Sequence, residues 1–90
     1  MTPIAITDAA GKELAAIKDY YAAFGEITAN RVMEDILNVF QVLSVFPLSG
    51  YEHARGLRRR SSVKFRFIVT YRALPDRVEI LSVYRFQNRE

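Results

Sequence analysis

The feature that most constrains the fold is a change of hydrophobic period partway along the chain. From Ala10 the apolar residues fall at Ala10, Leu14, Ile17, Tyr21 and Phe24, and again at Val32, Ile36, Val39, Leu43 and Phe46. Steps of four and three trace one stripe along a helix, which turns once in about 3.6 residues. From Val63 the step becomes two. Val63, Phe65, Phe67, Val69 and Tyr71 share one side, and Lys64, Arg66, Ile68, Thr70 and Arg72 the other, as the alternation of a strand requires.

Local signals set the expected boundaries. The β-prone "PIAIT" precedes the first stripe, and Thr7 or Asp8 can cap a helix there, since the first helical amides need an acceptor. Gly25 is expected to end that helix in the left-handed region, Thr28 to cap the second, and Pro47 and Gly50 to stop it. A short link makes the two helices an antiparallel hairpin. "ALPDR" supplies a turn with Pro75 at its fixed-φ position, and "RVEILSVYRF" returns as the next strand.

A loop over Ala73 to Asp76 sets Arg72 opposite Arg77. It then pairs Tyr71 with Val78, Val69 with Ile80, Phe67 with Ser82, Phe65 with Tyr84 and Val63 with Phe86 on the side that faces the helices. The opposite side pairs Thr70 with Glu79, Ile68 with Leu81, Arg66 with Val83 and Lys64 with Arg85. The expected class is α+β: an N-terminal strand, the helix hairpin, then a C-terminal antiparallel sheet of about three strands. Residues 1–90 read as a single domain, long enough for a thin core.

Composition narrows the function. There is no cysteine and one histidine, and the acids scatter over helix surfaces, so no metal site, cofactor or disulfide is expected. The start of the chain lacks the pattern of a signal peptide, and no apolar run approaches a membrane span. A cytoplasmic protein without a membrane partner is therefore expected. Isolated glycines make no phosphate loop, and no spacing recommends a Ser-His pair. Catalytic residues are assigned to none of these classes.

Charge points elsewhere. Residues 1 to 45 carry three bases against six acids, whereas residues 46 to 90 carry ten bases against four acids. The second half is the one suited to an anionic partner. On its outward side Ile68, Leu81 and Val83 sit among Lys64, Arg66, Arg72, Arg77 and Arg85, with Arg58, Arg59 and Arg60 of "GLRRR" on a neighbouring strand. Three apolar residues there imply a cover, either a partner or an internal one such as a tail or "PIAIT"; burial of Leu81 and Val83 in a central strand is the other reading. Basic and aromatic side chains also suit nucleic acid. Cleaving RNA would further need a proton shuttle, for which Arg is poorly suited. The candidates are Tyr84, Lys64 and His53, of which the register puts Tyr84 on the core side and His53 in a loop.

The order of strand, helix hairpin, "PLSG" (Pro47 to Gly50), the Leu-Arg of "GLRRR" (Leu57, Arg58), "FIVTYR" and "VEILSVYR" resembles the ParE/RelE superfamily of type II toxins, and more closely its ParE branch. RelE-like members cut mRNA on the ribosome with a basic set and a tyrosine near the C-terminus. Alignment on Tyr71 puts Ile68 at the arginine of the third strand in that set; Arg85 matches the last-strand arginine, and the chain ends at Glu90 before the tyrosine. ParE-like members inhibit DNA gyrase instead, although they commonly carry a last-strand histidine followed by Arg-Asp where this chain reads "VYRFQNRE".

The resemblance thus implies a non-enzymatic toxin that binds gyrase and is neutralised by a cognate antitoxin within a hetero-oligomeric complex, with no direct nucleic-acid partner. Lys64, Arg66, Ile68, Arg72, Arg77, Leu81 and Val83 are the expected antitoxin contacts, and Arg58, Arg59, Arg60, Arg85 and Arg89 the expected target contacts. The alternative is a RelE-like ribosome-dependent endoribonuclease using Arg58, Lys64, Arg66 and Arg85.

Overall fold

The computed structural model describes residues 1–85. Its elements run β1 (Ile4–Ile6), α1 (Asp8–Ala22), α2 (Glu26–Val45), β2 (Tyr51–Ala54), β3 (Leu57–Ser61), β4 (Phe67–Ala73) and β5 (Val78–Arg85). The class is the expected α+β, but four strands follow the helices instead of three. They join β1 in one sheet of order β1-β5-β4-β3-β2. All its pairings are antiparallel except that of β1 with β5.

Thr7 connects the layers. Its hydroxyl accepts from the Ala10 amide at 3.3 Å and donates to the Ile80 carbonyl at 2.8 Å, so the N-cap of α1 is fastened to β5. From α1, Ala10 is buried and Leu14, Ile17 and Tyr21 pack partly buried on the core. From α2, Val32, Ile36, Val39, Phe40 and Leu43 meet Phe67, Val69, Tyr71, Val78, Ile80 and Val83 of the sheet.

The stripes overreach at their ends. Phe24, 64% exposed, follows the Ala23 cap, after which the chain has turned away from the core. Phe46, 63% exposed, is the C-cap of α2. Gly25 has φ 119° and ψ 151°, an extended mirror conformation instead of the left-handed helical one, and itself stands as the N-cap of α2 in place of Thr28.

The "PLSG" turn is held from the sheet. The buried Tyr71 hydroxyl donates to the Pro47 carbonyl at 2.8 Å and accepts from the Gly50 amide at 2.9 Å. A side chain at residue 50 would put its Cβ 2.6 Å from the Arg59 carbonyl oxygen, which explains the glycine there. Arg58 donates to the Gly50 carbonyl at 2.7 Å and to that of Leu48 at 3.3 Å.

Two corrections concern the strands. First, β4 begins at Phe67. Val63 is 83% exposed, and Arg66 has φ 61°, so residues 62–66 form a connection, not strand. Asp35 of α2 organises it, accepting from the Lys64 amide at 3.2 Å and the Phe65 amide at 2.8 Å. Second, the β4–β5 register differs. The Leu74 amide donates to the Arg77 carbonyl, closing a loop one residue later than expected. Tyr71 therefore faces Ile80, Arg72 faces Glu79 and Ala73 faces Val78, a slip of two that keeps every side chain on its face. A bulge then takes up Leu81, and Thr70 faces Ser82, Val69 faces Val83, Ile68 faces Tyr84 and Phe67 faces Arg85. One extra residue reverses the facing of everything after it.

Candidate functional site

The bulge redraws the predicted patch. Val83, 1% exposed, lies in the core between the sheet and the helices, so it is corrected out of the antitoxin contacts. Tyr84 moves the other way, from the expected core side to the face turned away from the helices, opposite Ile68. Arg85, beside Phe67 on the helix side, donates to the Tyr21 hydroxyl at 2.7 Å. Ile68 and Leu81 are half-buried, and Arg72 is exposed opposite Glu79. β1 is an edge strand beside β5, not a cover over this face.

The other predicted cations separate into groups. Lys64 and Arg66 stand exposed in the 62–66 connection, beside the sheet rather than on it. Arg77 pairs with Asp76 at 3.0 Å and with Glu79 at 3.8 Å. Cross-strand partners place Arg58, opposite Tyr71, and Arg60, opposite Val69, on the core side. There Arg58 clamps the "PLSG" turn, and Arg60 reaches the Ser49 carbonyl at 3.5 Å. Arg59 alone of the three belongs to the open face. Arg89 lies outside the described residues.

Asp35 fixes where Lys64 and Arg66 emerge. Burial pushes its carboxyl upward, but the Phe65 amide, the Ser62 hydroxyl, and the amide and charge of Lys64 outweigh that and hold it below the usual carboxylate range. Ser62 secures the other end of the connection: its hydroxyl accepts from the Phe67 amide, and its own amide donates to the Phe67 carbonyl.

Reading the sequence from Val63 onward missed β2 and with it two residues of the open face. Tyr51 pairs with Arg59, which pairs with Thr70, which pairs with Ser82, making one row across four strands. His53, expected in a loop, is the extra residue of a bulge in β2. Its ring meets Tyr51 edge-on with centroids 6.5 Å apart. The signal was present in "YEHARGLRRR", where Arg55 and Gly56 make a tight two-residue connection between Ala54 and Leu57. The open face thus offers apolar anchors, guanidinium groups, an imidazole and two phenols, a composition suited to recognition through contact and charge. Among the described residues, no group of three or more His, Cys, Asp or Glu could hold a metal ion, and no helix is long and apolar enough to cross a membrane.

A helix pair packed on one side of a five-stranded mixed sheet defines a small α+β fold, and a solved structure shares it. A chain in the structure described as the chromosomal ParDE TA system from P. aeruginosa superposes with a TM-score of 0.83. It is 23% identical, and the match covers 97% of this chain and 98% of that one. No curated relative matches. The family follows from sequence: the model of the ParE toxin of type II toxin-antitoxin systems, parDE, matches residues 4–89, and the chain belongs to that family.

Proposed function

We propose that this type II toxin acts in the cytoplasm by binding DNA gyrase, without covalent chemistry of its own, and that a cognate antitoxin neutralises it in a hetero-oligomeric complex. Membership of the ParE family across residues 4–89 is the observation that carries this reading. The open face supports it. Ile68, Leu81 and Tyr84 are half-buried there, with Arg72 beside them and Lys64, Arg66 and Arg77 at the margins. An extended or helical segment with apolar anchors and acidic flanks would gain affinity from the anchors and association rate from the charges. Arg59, Arg60, Arg85 and Arg89 are the proposed target contacts; Arg58 is left out because it donates to the Leu48 and Gly50 carbonyls of the 47–50 turn. Residues 1–90 would act as a single domain.

The test uses antitoxin-free toxin in two assays. Gyrase supercoiling should be inhibited, or cleaved DNA should accumulate, while mRNA in a translating ribosome extract stays intact. Normal supercoiling at large toxin excess refutes the gyrase reading, and codon-dependent mRNA cleavage replaces it with the endoribonuclease one.

A further inference from the structure

Two buried polar atoms at the β2–β3 end of the open face have no hydrogen-bond partner: Nε of Arg59 and Nδ1 of His53. Leaving a buried polar group unmet is unfavourable, and natural structures seldom do so without a reason. The two residues are close neighbours on one face. Tyr51 is the cross-strand partner of Arg59, and its ring contacts that of His53. The edge of a guanidinium that includes Nε is one that can grip an oxyanion through two parallel hydrogen bonds. Tyr51 adds a ring that is 62% exposed, available to a planar group. Thr70, next to Arg59 in the row, adds a hydroxyl.

The geometry points to a nucleotide-phosphate subsite on this face, in which Arg59 and His53 hold a phosphodiester and Tyr51 stacks the adjoining base of a single-stranded nucleic acid. Ligand entry draws the Arg59 side chain outward, so that its Nε–H gains the acceptor it lacks. Single strands are favoured over duplex because only an unstacked base offers Tyr51 a free π-face. A carboxylate could satisfy the arginine but would leave the exposed ring unused. Binding is non-covalent; it shares Arg59 with the proposed target contacts but requires neither gyrase nor antitoxin, so either proposal can fail without the other.

The test is fluorescence anisotropy of labelled oligothymidylate with the purified chain, over a range of salt concentrations. Measurable affinity that falls with salt is expected. Arg59→Ala should lower the slope of log affinity against log salt by about 0.7, the contribution of one phosphate contact to a single strand. Tyr51→Ala should weaken binding roughly 5-fold or more through lost stacking. Tyr51 is exposed, so that variant remains informative if Arg59→Ala fails to fold. Lys18→Ala, which removes an exposed charge on α1, should leave the affinity within about 2-fold, as an exposed charge outside the subsite contributes little. A duplex of equal length should bind less tightly. Absence of oligonucleotide binding, an unchanged affinity in Tyr51→Ala, or equal weakening by Lys18→Ala would overturn the proposal.

Discussion

Asp35 shows how one side chain decides where the 62–66 connection stands. It is 4% exposed and accepts two backbone amides from residues that would otherwise extend β4. Asp35→Ala should cost about 1–3 kcal/mol near neutral pH, because it leaves those amides unmet. Because the folded carboxyl titrates below its ordinary value, its contribution is complete above the unfolded pKa and is lost as pH falls through the folded one. The gap between wild type and variant in denaturant unfolding should therefore narrow below about pH 3.9; a pH-independent gap would refute this account. Tyr71 poses a similar question at the other end of the sheet. Tyr71→Phe removes the donor to Pro47 and the acceptor for Gly50 and should cost about 1–3 kcal/mol. Gly50→Ala should destabilise as well, since its Cβ would meet a backbone oxygen that has little room to yield. Urea midpoints with unchanged m-values would measure both.

At the scale of elements, the bulge in β5 determines which residues a partner can touch. Without it, alternation from Val78 would send Val83 outward and Tyr84 inward; with Leu81 inserted, Val83 joins the core and Tyr84 faces Ile68. The two outcomes predict opposite mutational behaviour. Val83→Asp should unfold the protein, because an unpaired charge cannot be held in an apolar core. Ile68→Asp should leave circular dichroism largely native and weaken antitoxin binding chiefly through a faster off-rate. A folded Val83→Asp would instead restore the register read from the sequence, which places Val83 on the open face and leaves Ile68 there in either case. Glu13 of α1 adds a tie near the bulge by accepting from the Val83 amide at 2.9 Å, which satisfies a donor on β5 beyond the three residues that β1 pairs.

For the whole molecule, the charge asymmetry of the sequence becomes an asymmetry between layers: the acid-rich half forms the helices and the base-rich half the four later strands. An acidic partner would therefore be steered toward the sheet. Arg59→Glu combined with Arg72→Glu should lower the association rate with an acidic antitoxin segment roughly 10-fold or more, and added salt should slow association more than it speeds release. Stopped-flow binding at two salt concentrations checks this, and a salt-independent on-rate refutes it. Much of this architecture was legible in the chain itself, because Ala10 to Leu43 and Phe67 to Ile80 bury apolar residues at intervals that only a helix pair and a strand pair can satisfy. The "PLSG" and "GLRRR" motifs were legible as a family pattern, yet their joint task emerged only when Tyr71 and Arg58 were seen to hold the same turn. Three things were decided by tertiary contact. Asp35 pulled residues 62–66 out of the strand, the bulge at Leu81 exchanged the faces of Val83 and Tyr84, and the pairing of β2 with β3 brought His53 and Tyr51 beside Arg59. Each depends on an acceptor or a strand edge supplied from elsewhere in the fold, whereas hydrophobic period reports only which side of an element is apolar.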